Sequence, residues 1–572
     1  MPDEVVIVWE NDNPATEALL EEWAVKSAAE INTIIWPKLT GLFGKPPQGK
    51  LVAILLSPLV RRSYETTDDC KIARIRLGTQ DVNTLAHELT HALVDLRFPE
   101  KCNSSETLWL HEATATWAEH FVYPRNNREH ASAPSFLRRP EVELEKYEST
   151  PDDRPGPEHQ YGAYLWFLYI TRGSDSGAHY VRETWDAIFN HDSLGAIEEA
   201  IGSLGGFRGE WPQFALYNWN RKADFEVTAT GSSEKGKPYR YYSKWDKLVE
   251  KAREMTPAPV KVRLNGKTSA TYSLEHTIPH LAARYFHYDF KADNAIRSLS
   301  FTHPYWSGSE PTARVQAIVK IRDQEWKPAE DWTDSEKIFF CRDKPAEDVE
   351  ELVIVISNSE FKNRSHVLSD VGNFVNPAEL KVFALGCEPW IGSVEFSYTN
   401  SLQVLGARED VTETATGTNI VFDLVDPENG TYRATSGLVT WNHAGSFSGG
   451  GLECSGEATG TFLVAAGESQ MTVTTFSPPV GDDSTLFYSG IGEVNMLQTN
   501  IDFIFYGCTP AGIYPPQQQQ LFRRWLTTNA PIPLGSFDKI ITDADGSLVM
   551  KGSSKQGPMK WQWEFKQARK AQ

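Results

Sequence analysis

The chain has 572 residues, 40% of them apolar and 23% charged, an ordinary globular balance that excludes a disordered or collagen-like polymer. Its 56 basic residues face 76 acidic ones, and the net charge of −20 argues against a general nucleic-acid or membrane-surface role, leaving room only for a local basic patch. At roughly 150 residues per domain, the length sets an expectation of about three or four domains.

In chain order, Val5 to Trp9 reads as a strand. Asn13 followed by Pro14 marks the start of a long helix, because proline at the first helical position lacks only an N–H that goes unpaired anyway. Leu51 to Leu56 is a second strand. The apolar run around it ends at Val60, well short of the ~20 residues that a bilayer span needs, so no membrane crossing is expected. The opening Met1-Pro2-Asp3-Glu4 is acidic and leads straight into the strand-like run, unlike a secretory leader. Ile72 to Arg76 alternates and is expected to form an exposed edge strand. Helices are expected from about Thr84 to Leu96, from about Glu106 to Phe121, from Tyr161 to Ile170 and from Ser193 to Ile201.

Beyond Pro257 short alternating runs take over, among them Val260 to Leu264, Val315 to Ile321 and Leu352 to Ile356, separated by turn residues in the manner of a β-sandwich. A second β-rich stretch, with more Gly, Ser and Thr, begins near Gly392. Asp543-Ala544-Asp545-Gly546 resembles the start of a calcium loop. Ser554 stands where the loop's last carboxylate belongs, so a hairpin turn is expected instead. The expected organisation is residues 1–100 and 101–250 as an α/β half and a helical half of one domain, 257–391 as a sandwich-like domain, and 392–572 as a second β-rich domain.

The six cysteines, Cys70, Cys102, Cys341, Cys387, Cys454 and Cys508, contain no Cys-x-x-Cys pair, which disfavours a thiolate zinc site. Sequential pairing would place one bridge in each of three domains; buried free thiols are the alternative. With sequons at Asn103, Asn363 and Asn429, the cysteines lead to the expectation of a secreted or extracellular protein, with a Cys70–Cys102 bridge near the site described next.

His87-Glu88-Leu89-Thr90-His91 carries the chemistry. Residues four apart on a helix lie about 40° apart around its axis, so the two imidazoles converge on one metal ion. Glu88 projects about 100° from His87 and can reach a metal-bound water without coordinating the metal. Leu85, Leu89, Ala92, Leu93 and Leu96 form the apolar stripe of this helix, and Asp81 or Asn83 can cap it. The bland alternative is two solvated histidines on an ordinary helix. A catalytic zinc takes three protein ligands and an open position, and the next helix offers Trp109-Leu110-His111-Glu112 through Glu119, with Glu112 21 positions after His91.

These two segments resemble the gluzincin metallopeptidases. His87 to Ala92 with Asp95 is similar to the active helix of thermolysin-like enzymes, and Trp109-Leu110-His111-Glu112 through Thr116 is similar to the second ligand helix of aminopeptidase-N-like enzymes. The resemblance covers roughly residues 50 to 245 and implies a zincin catalytic domain that holds Zn²⁺ through His87, His91 and Glu112. His111 is the competing ligand. Glu119 is expected either to support a ligand or to form a salt bridge, and Asp95 to be structural. Thr116 departs from the family, which has an Asp there behind a ligand histidine. After the ligand helix such enzymes place a tyrosine that donates to the oxyanion. Tyr161 is a partial match because Gly162 follows it directly, and His159 is a second candidate.

The Gly-x-Met-Glu-Asn segment by which related aminopeptidases hold the substrate amine is absent before His87. The expected activity is therefore that of an endopeptidase acting on a polypeptide or glycoprotein by Glu88-assisted attack of zinc-bound water, with the substrate pairing along the Ile72–Arg76 edge. The rival expectation is a glycan- or protein-binding β-domain protein whose zincin domain is degenerate or structural. An intact Glu88 argues against it.

Overall fold

A computed structural model describes residues 5–9, 14–57, 63–66, 70–78, 80–99, 104–148, 158–172, 175–220, 257–464, 470–476, 485–491, 496–509 and 538–567, apart from 266, 268, 307, 309, 325, 345–346 and 545–546. The chain is multidomain, with an N-terminal α/β region and a β-rich C-terminal part. The proposed cap Asn13 and the expected bridge partner Cys102 lie outside the described residues.

The first region is built on a four-stranded sheet of β1 (Val5–Trp9), β2 (Leu51–Leu56), β3 (Ser63–Thr66) and β4 (Ile72–Leu77), in the order β1-β2-β4-β3. β1, β2 and β4 run parallel, and β3 is antiparallel to β4. This corrects the expected edge. Ile72–Arg76 lies inside the sheet, and the short polar β3 is the strand beyond it. The alternation in β4 reflects its two faces: Ala73, Ile75 and Leu77 are buried, while Arg74 and Arg76 are exposed on the opposite side. Between β1 and β2, helix α1 (Pro14–Glu30) passes through a π-helical turn into α2 (Trp36–Phe43), which stops at Gly44, whose φ is +84°.

Two helices then cross the centre. α3 (Val82–Arg97) starts at Asp81, whose side chain accepts the Asn83 N–H at 3.1 Å, and α4 (Leu108–Val122) packs along it. Leu85, Leu89, Ala92, Leu93 and Leu96 are all buried, as the stripe requires, in one core with the sheet. Helices α5 (Ala133–Leu137), α6 (His159–Gly162), α7 (Tyr164–Ile170), α8 (His179–Ala187), α9 (Ser193–Ala200) and α10 (Gly206–Asn218) complete the region. The helix expected over Tyr161–Ile170 is broken at Ala163. A Cβ on Gly162 would lie 2.5 Å from Ser135 Oγ and 2.7 Å from Phe136 Cβ, so α6 can pack this closely on α5 only because the residue is glycine. α7 is buried on every side, which removes the polar face that a surface helix shows.

In the β-rich part, one sheet runs Trp326–Asp331, Ala313–Ile321, Glu347–Asn358, Ala282–Asp289 and Val260–Lys261. A second runs Lys337–Cys341, Ser298–Thr302, Glu379–Phe383 and Ser269–Ser273. Val315, Leu352 and Ile354 of the first meet Leu299, Phe301 and Val382 of the second in a shared core, which makes a sandwich. From Trp390 onward an eleven-stranded sheet follows, in which Trp561, Trp563 and Phe565 alternate inward. Ile541–Thr542 pairs with Leu548–Val549 as a hairpin around the Asp543 turn.

The units are closely joined. Leu281 of the sandwich is fully buried in the helical core, at a φ of +44°. Trp219 packs between Tyr285 and Trp326, and Trp211 Nε1 donates to the Ala282 carbonyl at 3.2 Å. On the other side Cys341 is bonded to Cys387, as sequential pairing requires, and Lys337 reaches Asp426 at 3.2 Å and Glu428 at 3.0 Å. Cys70 and Cys454 are disulfide-bonded too. No described helix is long and apolar enough to cross a membrane.

Candidate metal centre

Helical spacing brings His87 and His91 to one face of α3, and α4 lies against that face with Glu112. His87 Nε2 and His91 Nε2 are 3.2 Å apart, and Glu112 Oε2 is 3.4 Å from each. Among the described residues these three form the one group whose donor atoms converge closely enough to hold a metal ion. The histidines are buried, and the Glu112 side chain keeps 19% exposure, so the group has a path to solvent.

The donor set can be tested for fit. A tetrahedral ion with bonds of ~2.0–2.1 Å has ligand atoms roughly 3.3–3.4 Å apart. The observed triangle has edges of 3.2, 3.4 and 3.4 Å. Glu112 Oε2 is buried and makes no hydrogen bond, an unsatisfied acceptor aimed at two imidazole nitrogens. Burial opposes the charge of Glu112, yet the facing His91 and His87 hold its carboxyl well below the usual carboxylate range. Two imidazoles and one ionised carboxylate suit Zn²⁺.

Glu119 lies behind His87. It lies seven residues after Glu112, on the same face of α4, and its Oε1 is 2.9 Å from His87 Nδ1. The Nδ1–H therefore donates to Glu119, which leaves the Nε2 lone pair directed at the cluster. The carboxylate behind His87 comes from position 119 and not from position 116. Thr116 is buried on α4.

His111 is not part of the cluster. It stacks on His91 at 6.2 Å, its Nε2 lies 3.5 Å from Asp95 Oδ1, and burial lowers its pKa. Asp95 is buried near the end of α3, in line with a structural role. Glu88 is buried on α3 beside His87 and is not one of the converging ligands.

The two candidate donors separate. Tyr161, at the N-terminal side of the Gly162 contact, stacks on the His87 ring with centroids 6.0 Å apart. His159 is fully buried, is 3.0 Å from the Glu143 carbonyl through Nε2, and lies flat on Phe136. Burial lowers its pKa to about 4, so it is neutral at physiological pH. Its contacts tie the 143 region to α5, and it is not one of the converging ligands.

Tyr147 is 39% exposed, and its pKa is raised, first by partial burial and then by the charge of Glu112. A lone tyrosine in a charged loop carries no periodic or spacing signal.

No family model, curated protein or solved structure matches the chain.

Proposed function

We propose that the chain is a zinc-dependent metallopeptidase of zincin type, and an endopeptidase, that works outside the cell. The observation that carries this reading is the triangle of His87 Nε2, His91 Nε2 and Glu112 Oε2, with edges of 3.2–3.4 Å and His87 oriented from behind by Glu119. Bound there, Zn²⁺ supplies Lewis acidity that acidifies water and polarises a peptide carbonyl. Glu88, one position from His87, takes the proton of the attacking water and passes it to the leaving amine. Tyr161 donates its phenolic hydrogen to the oxyanion as it develops. His159 has no part, because its imidazole is committed to Glu143 and Phe136. An extended peptide pairs along β3, the strand that borders the sheet beyond β4. The disulfides, with no free cysteine among the described residues, support an oxidising compartment.

The test uses the full chain. One zinc per chain is expected by mass spectrometry, lost in His87→Ala and His91→Ala. Glu88→Gln keeps the zinc and loses on the order of 10²–10⁴-fold in turnover of denatured casein. Zinc retained with undiminished turnover in Glu88→Gln refutes the mechanism. A zinc-loaded wild-type protein that cleaves nothing leaves the rival reading, a binding protein with a structural metal site.

A further inference from the structure

A cavity of about 240 Å³ lies where the helical region meets the sandwich, and none of His87, His91 and Glu112 lines it. Three segments of chain form its wall. Phe136 and Arg138 come from the end of α5, Trp219 follows α10, and Arg284 and Tyr285 stand on the sandwich strand Ala282–Asp289. These segments are fastened to one another. The Ala283 N–H donates to the Pro140 carbonyl at 2.8 Å, the Tyr285 hydroxyl donates to the Ala215 carbonyl at 2.6 Å, and Trp219 stacks on Tyr285 with the ring planes 20° apart. The Pro140–Ala283 bond holds the chain near Arg138 against the strand that carries Arg284, so the two sides of the cavity are fixed in advance of any ligand.

The charge of the wall runs against that of the chain. Acidic residues outnumber basic ones by 76 to 56, yet among the described residues neither Arg138 nor Arg284 finds an ion pair or a hydrogen bond for its guanidinium. Arg139, the very next residue, is paired with Glu148 at 2.6 Å, so the lack of a carboxylate partner belongs to the cavity and not to the segment. Both arginines are exposed enough for a ligand to reach them. The planar fork of N–H donors on each matches a carboxylate.

Glu141 also lines the cavity, and two guanidiniums against this one carboxylate leave the wall with a net charge of +1. That suits a single negative charge and disfavours a dianion. The Glu141 oxygens can accept from hydroxyl groups, and Asn218 and Asn220 bring amides to the same wall. Phe136 and Trp219 give it an apolar flank. At ~30 Å³ per water the space equals about eight waters, the bulk of a small acid and too little for an oligosaccharide or a nucleotide.

We propose that this cavity binds a small hydroxylated monocarboxylate, with Arg138 and Arg284 gripping the carboxylate and Glu141 accepting from a hydroxyl. The site is separate from the metal cluster and does not rest on the metallopeptidase reading. A sugar acid and an aliphatic hydroxy acid share this chemistry. Either one joins the helical region to the sandwich when it binds.

The experiment applies saturation-transfer NMR to the full chain. The probes are D-glucuronate and L-lactate, with D-glucose as the uncharged control and inorganic phosphate as the competing anion. At least one of the acids should bind with a dissociation constant of about 1 mM, the affinity within reach of so small a ligand, and the preferred acid identifies the source. Arg138→Gln and Arg284→Gln should each weaken that binding about 10-fold or more, the loss of a charge-assisted hydrogen bond, with the circular dichroism spectrum unchanged. No signal from either acid at about 10 mM overturns the proposal. Glucose binding as well as glucuronate overturns the role of the carboxylate, and phosphate binding more tightly than both acids overturns the preference for a single charge. Undiminished binding in a folded arginine variant overturns the grip, and Arg138→Gln, outside the strands, decides this if Arg284→Gln does not fold.

Discussion

Replacing Glu119 with alanine isolates how much of the metal affinity is built behind the ligands. The bond it breaks joins His87 Nδ1 to Glu119 Oε1 over 2.9 Å, between side chains that are 1% and 10% exposed. Water cannot easily take the place of the carboxylate there, so the imidazole loses both its charged partner and the constraint on its tautomer. Removing such a partner typically costs 10- to 100-fold in metal affinity, and the burial of this pair argues for the upper half of that range. An affinity loss of about 30- to 100-fold corresponds to roughly 2–2.7 kcal/mol. Glu119→Gln keeps an acceptor oxygen without the charge and should lose less. The assay is competition for zinc against a fluorescent chelator at pH 7.5, with melting of the metal-free protein as the control for folding. Unchanged zinc affinity in Glu119→Ala, beside a His87→Ala variant that has lost it, would refute the claim that Glu119 orients the ligand.

Three further outcomes are expected. The His159 pKa lies at about 4, below its ordinary value, so the unfolded chain takes up a proton first as the pH falls. Stability is therefore fully present above about pH 6.5 and is lost down to about pH 4, by about 3 kcal/mol; denaturant titrations should show this slope, and His159→Phe should flatten it. Gly162→Ala places a methyl group against Ser135 and Phe136, so Tyr161 should shift and turnover fall while bound zinc is retained. Cys341→Ser with Cys387→Ser opens a loop with a sequence separation of 46, which in the chain-entropy model costs about 4 kcal/mol, read as a lower urea midpoint for the β-rich part.

How far the sequence could be read depended on whether a residue's signal was periodic. His87, His91 and the stripe from Leu85 to Leu96 repeat with the helix, so the helix and its two imidazoles were legible directly. Glu112 was legible only through resemblance, because nothing in its own helix distinguishes it from Glu119, and the separate tasks of the two carboxylates are set by how α4 lies across α3. β3 was missed because four polar residues, Ser63 to Thr66, read as loop, and their absence from the count turned β4 into an apparent edge. The break at Ala163 was hidden by an apolar run that continues through it. The ties of Glu148 to Gln160 and of Glu145 to His280 span distant parts of the chain, which no local pattern encodes.

Leu281 bears on the timing of synthesis. This leucine follows the helical region in the chain, yet it fills a place in that region's core, and Trp219 waits for Tyr285 and Trp326 in the same way. A ribosome delivers residues in order, and domains usually close as they emerge. Here the first 220 residues cannot complete their packing when they appear. They must wait until the chain has reached at least Trp326, and until Val353 and Val355 have joined the seam behind it. His87, His91 and Glu112 are thus made early, while the core that their helices share closes late. More than two hundred positions of chain separate Glu112 from Trp326, and a nascent chain carries the segment from His87 to Glu112 over that length before the seam around Trp326 can close.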